Sequence, residues 1–186
     1  MTTVFLSGSR AISRLNDEIK ERLSKIIEKD FSVVIGDANG SDKAFQIFFA
    51  EQGYQNVTIY CSGETFRNNI GHWETHQVIV DSKLTGRAFY TQKDKVMAQH
   101  ADYGLVLWDG KSAGAISNVF EMLSQNKPVA VYFSPNKEFI NLKTVQDANQ
   151  LLEKCEQKDI EDIAKKPSVN KLIRWVGQSQ QIALSF

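Results

Sequence analysis

The sequence predicts a doubly wound α/β fold, and three observations predict it. Short runs that are apolar throughout alternate with stretches whose apolar residues recur every three or four positions, and the runs end in turns bearing Gly and Ser. The apolar share, 42 % of 186 residues with 11 phenylalanines, suffices for a core on both faces of a sheet.

Val4-Phe-Leu6 is the first strand run and ends in Ser7-Gly-Ser-Arg10. Leu15, Ile19, Leu23, Ile26 and Ile27 then share a helical face, which Ser13 or Asn16 can cap, with Asp17 and Glu18 favourably placed in the first turn. Phe31-Ser-Val-Val-Ile35 is a second strand. It is followed by Gly36-Asp-Ala-Asn-Gly40-Ser-Asp42 and by Ala44, Phe45, Phe48 and Phe49 at helical spacing. Val57-Thr-Ile-Tyr60 and Tyr103-Gly-Leu-Val-Leu-Trp108 continue the series. The latter runs into Asp109-Gly-Lys-Ser-Ala-Gly114 and a helix through Ile116, Val119, Phe120 and Leu123. Pro128-Val-Ala-Val-Tyr-Phe133 is the fifth strand.

The expected architecture is therefore a mainly parallel sheet of five strands, or slightly more, with helices on both faces, over residues 1–135. Residues 62–95 show no clear period and read as an irregular excursion with one short helix. Residues 136–186 read as a C-terminal helical extension: one or two surface helices over 141–166, ended by Pro167, and an apolar tail, Leu172-Ile-Arg-Trp-Val176 and Ile182-Ala-Leu184, that docks on the domain or on a partner subunit.

Lys+Arg and Asp+Glu both number 22, so the formal charge is zero, and residues 1–60 and 137–174 are each balanced to within one charge. That balance argues against a phosphate backbone as the main partner. No apolar run spans a membrane, and the first Gly/Ser turn comes too early for a signal peptide. Two cysteines, Cys61 and Cys155, exclude a disulfide framework or Cys-rich zinc site and point to a reducing cytoplasm. His72-Trp-Glu-Thr-His76 spaces two histidines at i and i+4, but the zincin order of residues is absent, so no metal site is expected.

In an open parallel sheet the turns after the strands gather along one edge, where ligands bind. Three such turns carry glycine here. Gly8, Gly36, Gly40, Gly110 and Gly114 let backbone N–H groups approach an anion, and the helix after each turn adds its positive end. Arg10 can fork onto a phosphate; Ser9, Ser41, Lys111 and Ser112 can donate further bonds. Asp109 suits ribose hydroxyls or caps the helix that begins near Ser112, and Trp108 stacks on a base or belongs to the core. Neither a Walker loop nor a Gly-x-Gly-x-x-Gly fingerprint is present.

Phe5-Leu-Ser-Gly-Ser-Arg10, Gly36-Asp-Ala-Asn-Gly-Ser-Asp42, and Lys93-Asp-Lys-Val-Met97 with Trp108-Asp-Gly-Lys-Ser-Ala-Gly114 together resemble the SLOG superfamily. This Rossmann-like group includes the LOG nucleotide phosphoribohydrolases and the Smf-type DNA-processing proteins. The resemblance covers about residues 3–135. It implies a nucleotide site built from Gly8, Ser9, Arg10, Gly36, Asp37, Gly40, Ser41, Asp42, Lys93, the 108–114 loop and Asn118, and a homodimer, since LOG-type relatives pair through helices. The LOG glutamate, which stabilises an oxocarbenium-like state, maps onto Asn118, and the LOG arginine falls near Lys93 or Lys95. Both catalytic positions are altered, and Glu121 lies one turn further along the same helix.

The expectation from residues and resemblance together is a nucleotide or nucleotide-derived small molecule bound without turnover, as by a sensor or carrier, with no cofactor and with nucleic acid excluded. Two alternatives stand beside it. One is an N-glycosidase or base transferase using Glu121, Asp109 or Asp42 as carboxylate; the other is an assembly module contacting partners through residues 136–186.

Overall fold

The structure, a computed structural model, describes residues 1–166 and has the expected doubly wound α/β architecture. In chain order it comprises β1 (Thr3–Gly8), α1 (Asp17–Glu28), β2 (Ser32–Gly36), α2 (Ser41–Glu51), β3 (Val57–Ser62), β4 (Glu74–Val78), α3 (Gly86–His100), β5 (Tyr103–Trp108), α4 (Ala113–Ser124), β6 (Val129–Phe133), β7 (Glu138–Leu142), α5 (Val145–Leu152) and α6 (Gln157–Ala164). The strands form one sheet in the order β4-β3-β2-β1-β5-β6-β7, parallel except for β7, which runs antiparallel to β6.

Alternation along each strand divides the core in two. Val4, Leu6, Val33, Ile35, Ile59, Leu105 and Leu107 face α1 and α2, meeting Ile19, Leu23, Phe45 and Phe49. Phe5, Val34, Val106, Trp108, Val131 and Phe133 point the other way, against Met97 of α3, Ile116, Val119 and Phe120 of α4, Leu151 of α5 and Ile163 of α6. Each large side chain so buried contributes roughly 1.5–3 kcal/mol relative to exposure. Asn16 caps α1 by accepting from the Ile19 N–H at 2.9 Å, and its amide donates to the Tyr132 hydroxyl at 2.7 Å, tying α1 to β6.

Two parts of the sequence reading are corrected. Residues 62–95 are not an irregular excursion with one short helix: they supply β4, paired in parallel with β3, and most of the 15-residue α3. The 136–186 segment is not simply a helical extension, because β7 completes the sheet and α5 and α6 bury Ala148, Leu151, Leu152 and Ile163 in the main core. Both added strands are edges. Among the described residues no helix is long and apolar enough to cross a membrane. The tail expected at 172–184 lies outside the described residues.

Candidate functional site

The sheet changes winding direction between its neighbours β1 and β5, so the turns that leave them diverge and open a crevice. A cleft of about 500 Å³ occupies this position, a size suited to a small ligand or part of a larger one. Its walls are Ser7 and Gly8 at the end of β1 with Ser9 and Arg10 after it, Ala38, Asn39 and Asp42 around the start of α2, and Ser112, Gly114, Ala115 and Asn118 at the start of α4. The segment before β4 adds Arg67, and α3 adds Arg87, Tyr90, Lys93, Asp94 and Met97.

Of the residues expected from sequence, Gly8, Ser9, Arg10, Asp42, Lys93, Ser112, Gly114 and Asn118 therefore meet in one place. The others make contacts behind the cleft or away from it. Trp108 is completely buried, donates its indole N–H to the Ser112 carbonyl at 3.1 Å and packs on Phe133, so it has no face for a base. Asp109 accepts from the Ser9 hydroxyl at 2.6 Å and from the Lys111 and Ser112 N–H groups at 3.0 and 2.7 Å, which leaves it committed to the loop rather than to a ribose. Gly110 lies under Phe133, Pro135 and Cys155, and Lys111 turns away to Asp159 of α6 at 3.5 Å. The Ser41 hydroxyl donates to the Ser9 carbonyl at 2.7 Å, and the Gly36 carbonyl accepts from Gln46 at 2.9 Å. At Gly40, φ is +83°, and a Cβ would stand 2.5 Å from the Arg10 backbone, so only glycine lets the two turns cross.

These bonds also revise the picture of a backbone cradle for an anion. Ser9 N–H donates to Leu107, Ala38 N–H to Asp42, and the Lys111 and Ser112 N–H groups to Asp109. The positive potential comes instead from side chains and from one helix. Arg87 places its guanidinium near Gly114, at the N-terminus of α4, whose first turn carries no acidic residue. Its pKa is lowered by burial and by the like charge of Arg10, against the opposing pull of Asp94, although an arginine stays charged throughout the physiological range. Among the described residues neither Arg10 nor Arg87 has a carboxylate within ion-pair distance.

Arg67 is different. It forks onto Asp37 at 3.0 and 2.7 Å and donates its backbone N–H to the same carboxylate at 3.1 Å. Burial works to raise the Asp37 pKa, but the bonds from Arg67 outweigh it and leave the carboxyl below its ordinary value. Deeper in the cleft, Lys93 is only 4 % exposed, with Asp94 at 2.8 Å and Asp42 at 3.8 Å. Burial lowers the Lys93 pKa, yet the two carboxylates raise it further, so the ammonium persists. Asp42, the more distant of the pair, is pushed up by burial to about 6 despite Lys93.

Arg67, Arg87, Tyr90 and Asp94 are the charged and aromatic cleft residues that the sequence reading missed. They lie in the stretch whose periodicity is unclear, and the only signal there was an arginine and an aromatic ahead of Lys93 at helical spacing. Of the three carboxylates of the alternative catalytic reading, Asp42 lines the cleft and Asp109 and Glu121 do not. Asn118 donates to the Ser7 hydroxyl at 3.0 Å, whereas Glu121 accepts from Gln125 at 2.9 Å and stands outside the cleft.

These features define an α/β protein with an anion-attracting cleft at the switch point of its sheet. No family model matches the sequence, and no curated protein matches it. The structure is similar to that of DNA processing protein A from Helicobacter pylori, solved for its unique single-stranded DNA binding mode. The TM-score is 0.56 at 17 % identity, covering 88 % of this chain and 79 % of that one. The likeness establishes a shared Rossmann-like fold.

It also corrects two expectations. Nucleic acid is not excluded for this fold, since a protein of the same architecture binds single-stranded DNA. The expectation of a free small nucleotide held by a sensor or carrier is withdrawn with it. The error lay in reading a total as a distribution. Arg10, Arg67, Arg87 and Lys93 gather at the cleft against Asp42, Asp94 and the Asp37 that pairs with Arg67, which leaves a local excess of positive charge.

Proposed function

We propose that the protein binds single-stranded nucleic acid, with a backbone phosphate held between Arg10, Arg87 and the N-terminus of α4. The observation that carries this reading is the convergence of three positive groups: two guanidiniums, neither with a carboxylate within ion-pair distance among the described residues, and the helix end at Gly114. Bringing like charges together is costly, and an anion offsets that cost. The similarity to a single-stranded DNA-binding protein supports a strand as the source of the anion. The motifs that resemble the SLOG superfamily, which includes Smf-type DNA-processing proteins, are in keeping with it. Two cysteines, both free, suit a cytoplasmic setting.

Fluorescence anisotropy with a labelled oligothymidylate at low salt tests the proposal. Saturable binding that weakens as salt is added, and that a competing duplex of equal length displaces poorly, is the expected result. No anisotropy change at submillimolar protein, or equal preference for the duplex, overturns it.

A further inference from the structure

The cleft pairs its cations with one exposed aromatic ring. Tyr90 lies on α3, three residues after Arg87, so the two side chains share a face about 4.5 Å apart along the helix axis. The tyrosine borders the cleft and is 40 % exposed, whereas Trp108, the aromatic that the sequence pointed to, is sealed in the core. The Arg67 guanidinium carbon stands 4.6 Å from the centre of the Tyr90 ring. That guanidinium is immobilised by its fork onto Asp37, and Phe89 meets the tyrosine edge to face at 5.3 Å. The ring is thus backed by a fixed cation before any ligand arrives, which removes much of the ordering cost of a stacked complex.

We infer that Tyr90, backed by Arg67, is a stacking platform for one base of the bound strand. This rests on the reading of the cleft as a single-strand site and assigns it a base-binding part. Arg87 and α4 hold the phosphate, and one helical turn away the ring takes up an unpaired base. Every base has a π face, so the platform is sequence-tolerant, and it favours single strands because duplex bases are already stacked on one another.

The test uses oligothymidylate, the same strand with one abasic position at its centre, and a strand carrying 2-aminopurine. With wild-type protein, 2-aminopurine fluorescence is quenched on binding; binding without quenching overturns the inference and needs no variant. Tyr90→Leu should weaken binding of the intact strand by roughly 5- to 150-fold, the range of a single base–aromatic stack, and abolish the quenching. Tyr90→Phe should restore both. Phe66→Ala, which removes a neighbouring exposed aromatic outside the cleft, should change neither. If the wild type binds and Tyr90→Leu matches it, or if Phe66→Ala weakens binding equally, the platform fails and the single-strand reading stands. If the wild type binds no oligonucleotide, both fail.

Discussion

Ser9 and Asp109, 100 positions apart in the chain, share a 2.6 Å hydrogen bond that joins the turn after β1 to the turn after β5. The same serine oxygen accepts from the Ala11 N–H at 3.2 Å, and the same aspartate holds the loop into α4. The switch-point crevice is kept in shape by this contact. Ser9→Ala should therefore cost about 1–2 kcal/mol, because it takes the hydroxyl donor from a half-buried carboxylate. Urea unfolding measures the loss, and a variant as stable as the wild type would show the two turns to be held otherwise.

Gly40→Ala should be more damaging than its size suggests. The added methyl needs a positive φ and meets the Arg10 backbone, which has no flexible end to yield. A loss of about 3 kcal/mol is expected by thermal or chemical melting. Arg10 should also be displaced, lowering oligonucleotide affinity beyond the change in stability.

Asp42 gives stability a pH dependence with a definite sign. Its folded pKa of about 6 exceeds the ordinary 3.8, so between these values the folded chain holds a proton that the unfolded chain has released. Stability from this group is complete below the lower value and is lost as pH rises through the upper one. Asp42→Asn keeps an acceptor for the Ala38 N–H and removes the titration. The variant should gain on the wild type as pH rises from about 4 to 7, the span set by the two pKa values. Parallel profiles in a urea series across that range would contradict this assignment.

Arg10→Ala and Arg87→Ala should each weaken binding of a single strand. Each should also flatten the plot of log affinity against log salt by roughly 0.7 for every phosphate that is no longer neutralised. Tyr90→Leu should weaken binding while leaving that slope unchanged. An Arg87→Ala slope equal to the wild type would remove this residue from the phosphate site.

The five strands recognised in the sequence are the five interior ones, β3, β2, β1, β5 and β6. Paired on both sides and covered on both faces, they must be apolar throughout, and that demand is written in runs such as Phe31-Ser-Val-Val-Ile35. The edges carry no such demand. Glu74-Thr-His-Gln-Val78 pairs on one side only, with most of its side chains exposed, and nothing in its pattern separates it from a loop. α3 was obscured for a related reason, since it buries Lys93 beside Met97 and Ala98 and gives its first turns to the cleft.

Half of the candidate site was legible on the same basis. Gly8-Ser-Arg10 and the start of α4 follow interior strands, and topology alone sends such turns to one sheet edge. Whether a given side chain faces the crevice or supports its wall was decided by contacts remote in sequence. Trp108 went to the core, Asp109 to Ser9, and Lys111 to Asp159. The balance of 22 basic and 22 acidic residues was a true property of the chain, but a sum carries no positions. The sequence alone determined the doubly wound sheet, because burial dictates residue type along interior strands. Only the tertiary structure brought Arg10, Arg67, Arg87 and Tyr90 to one cleft, because electrostatic potential and stacking depend on distances that chain order does not contain.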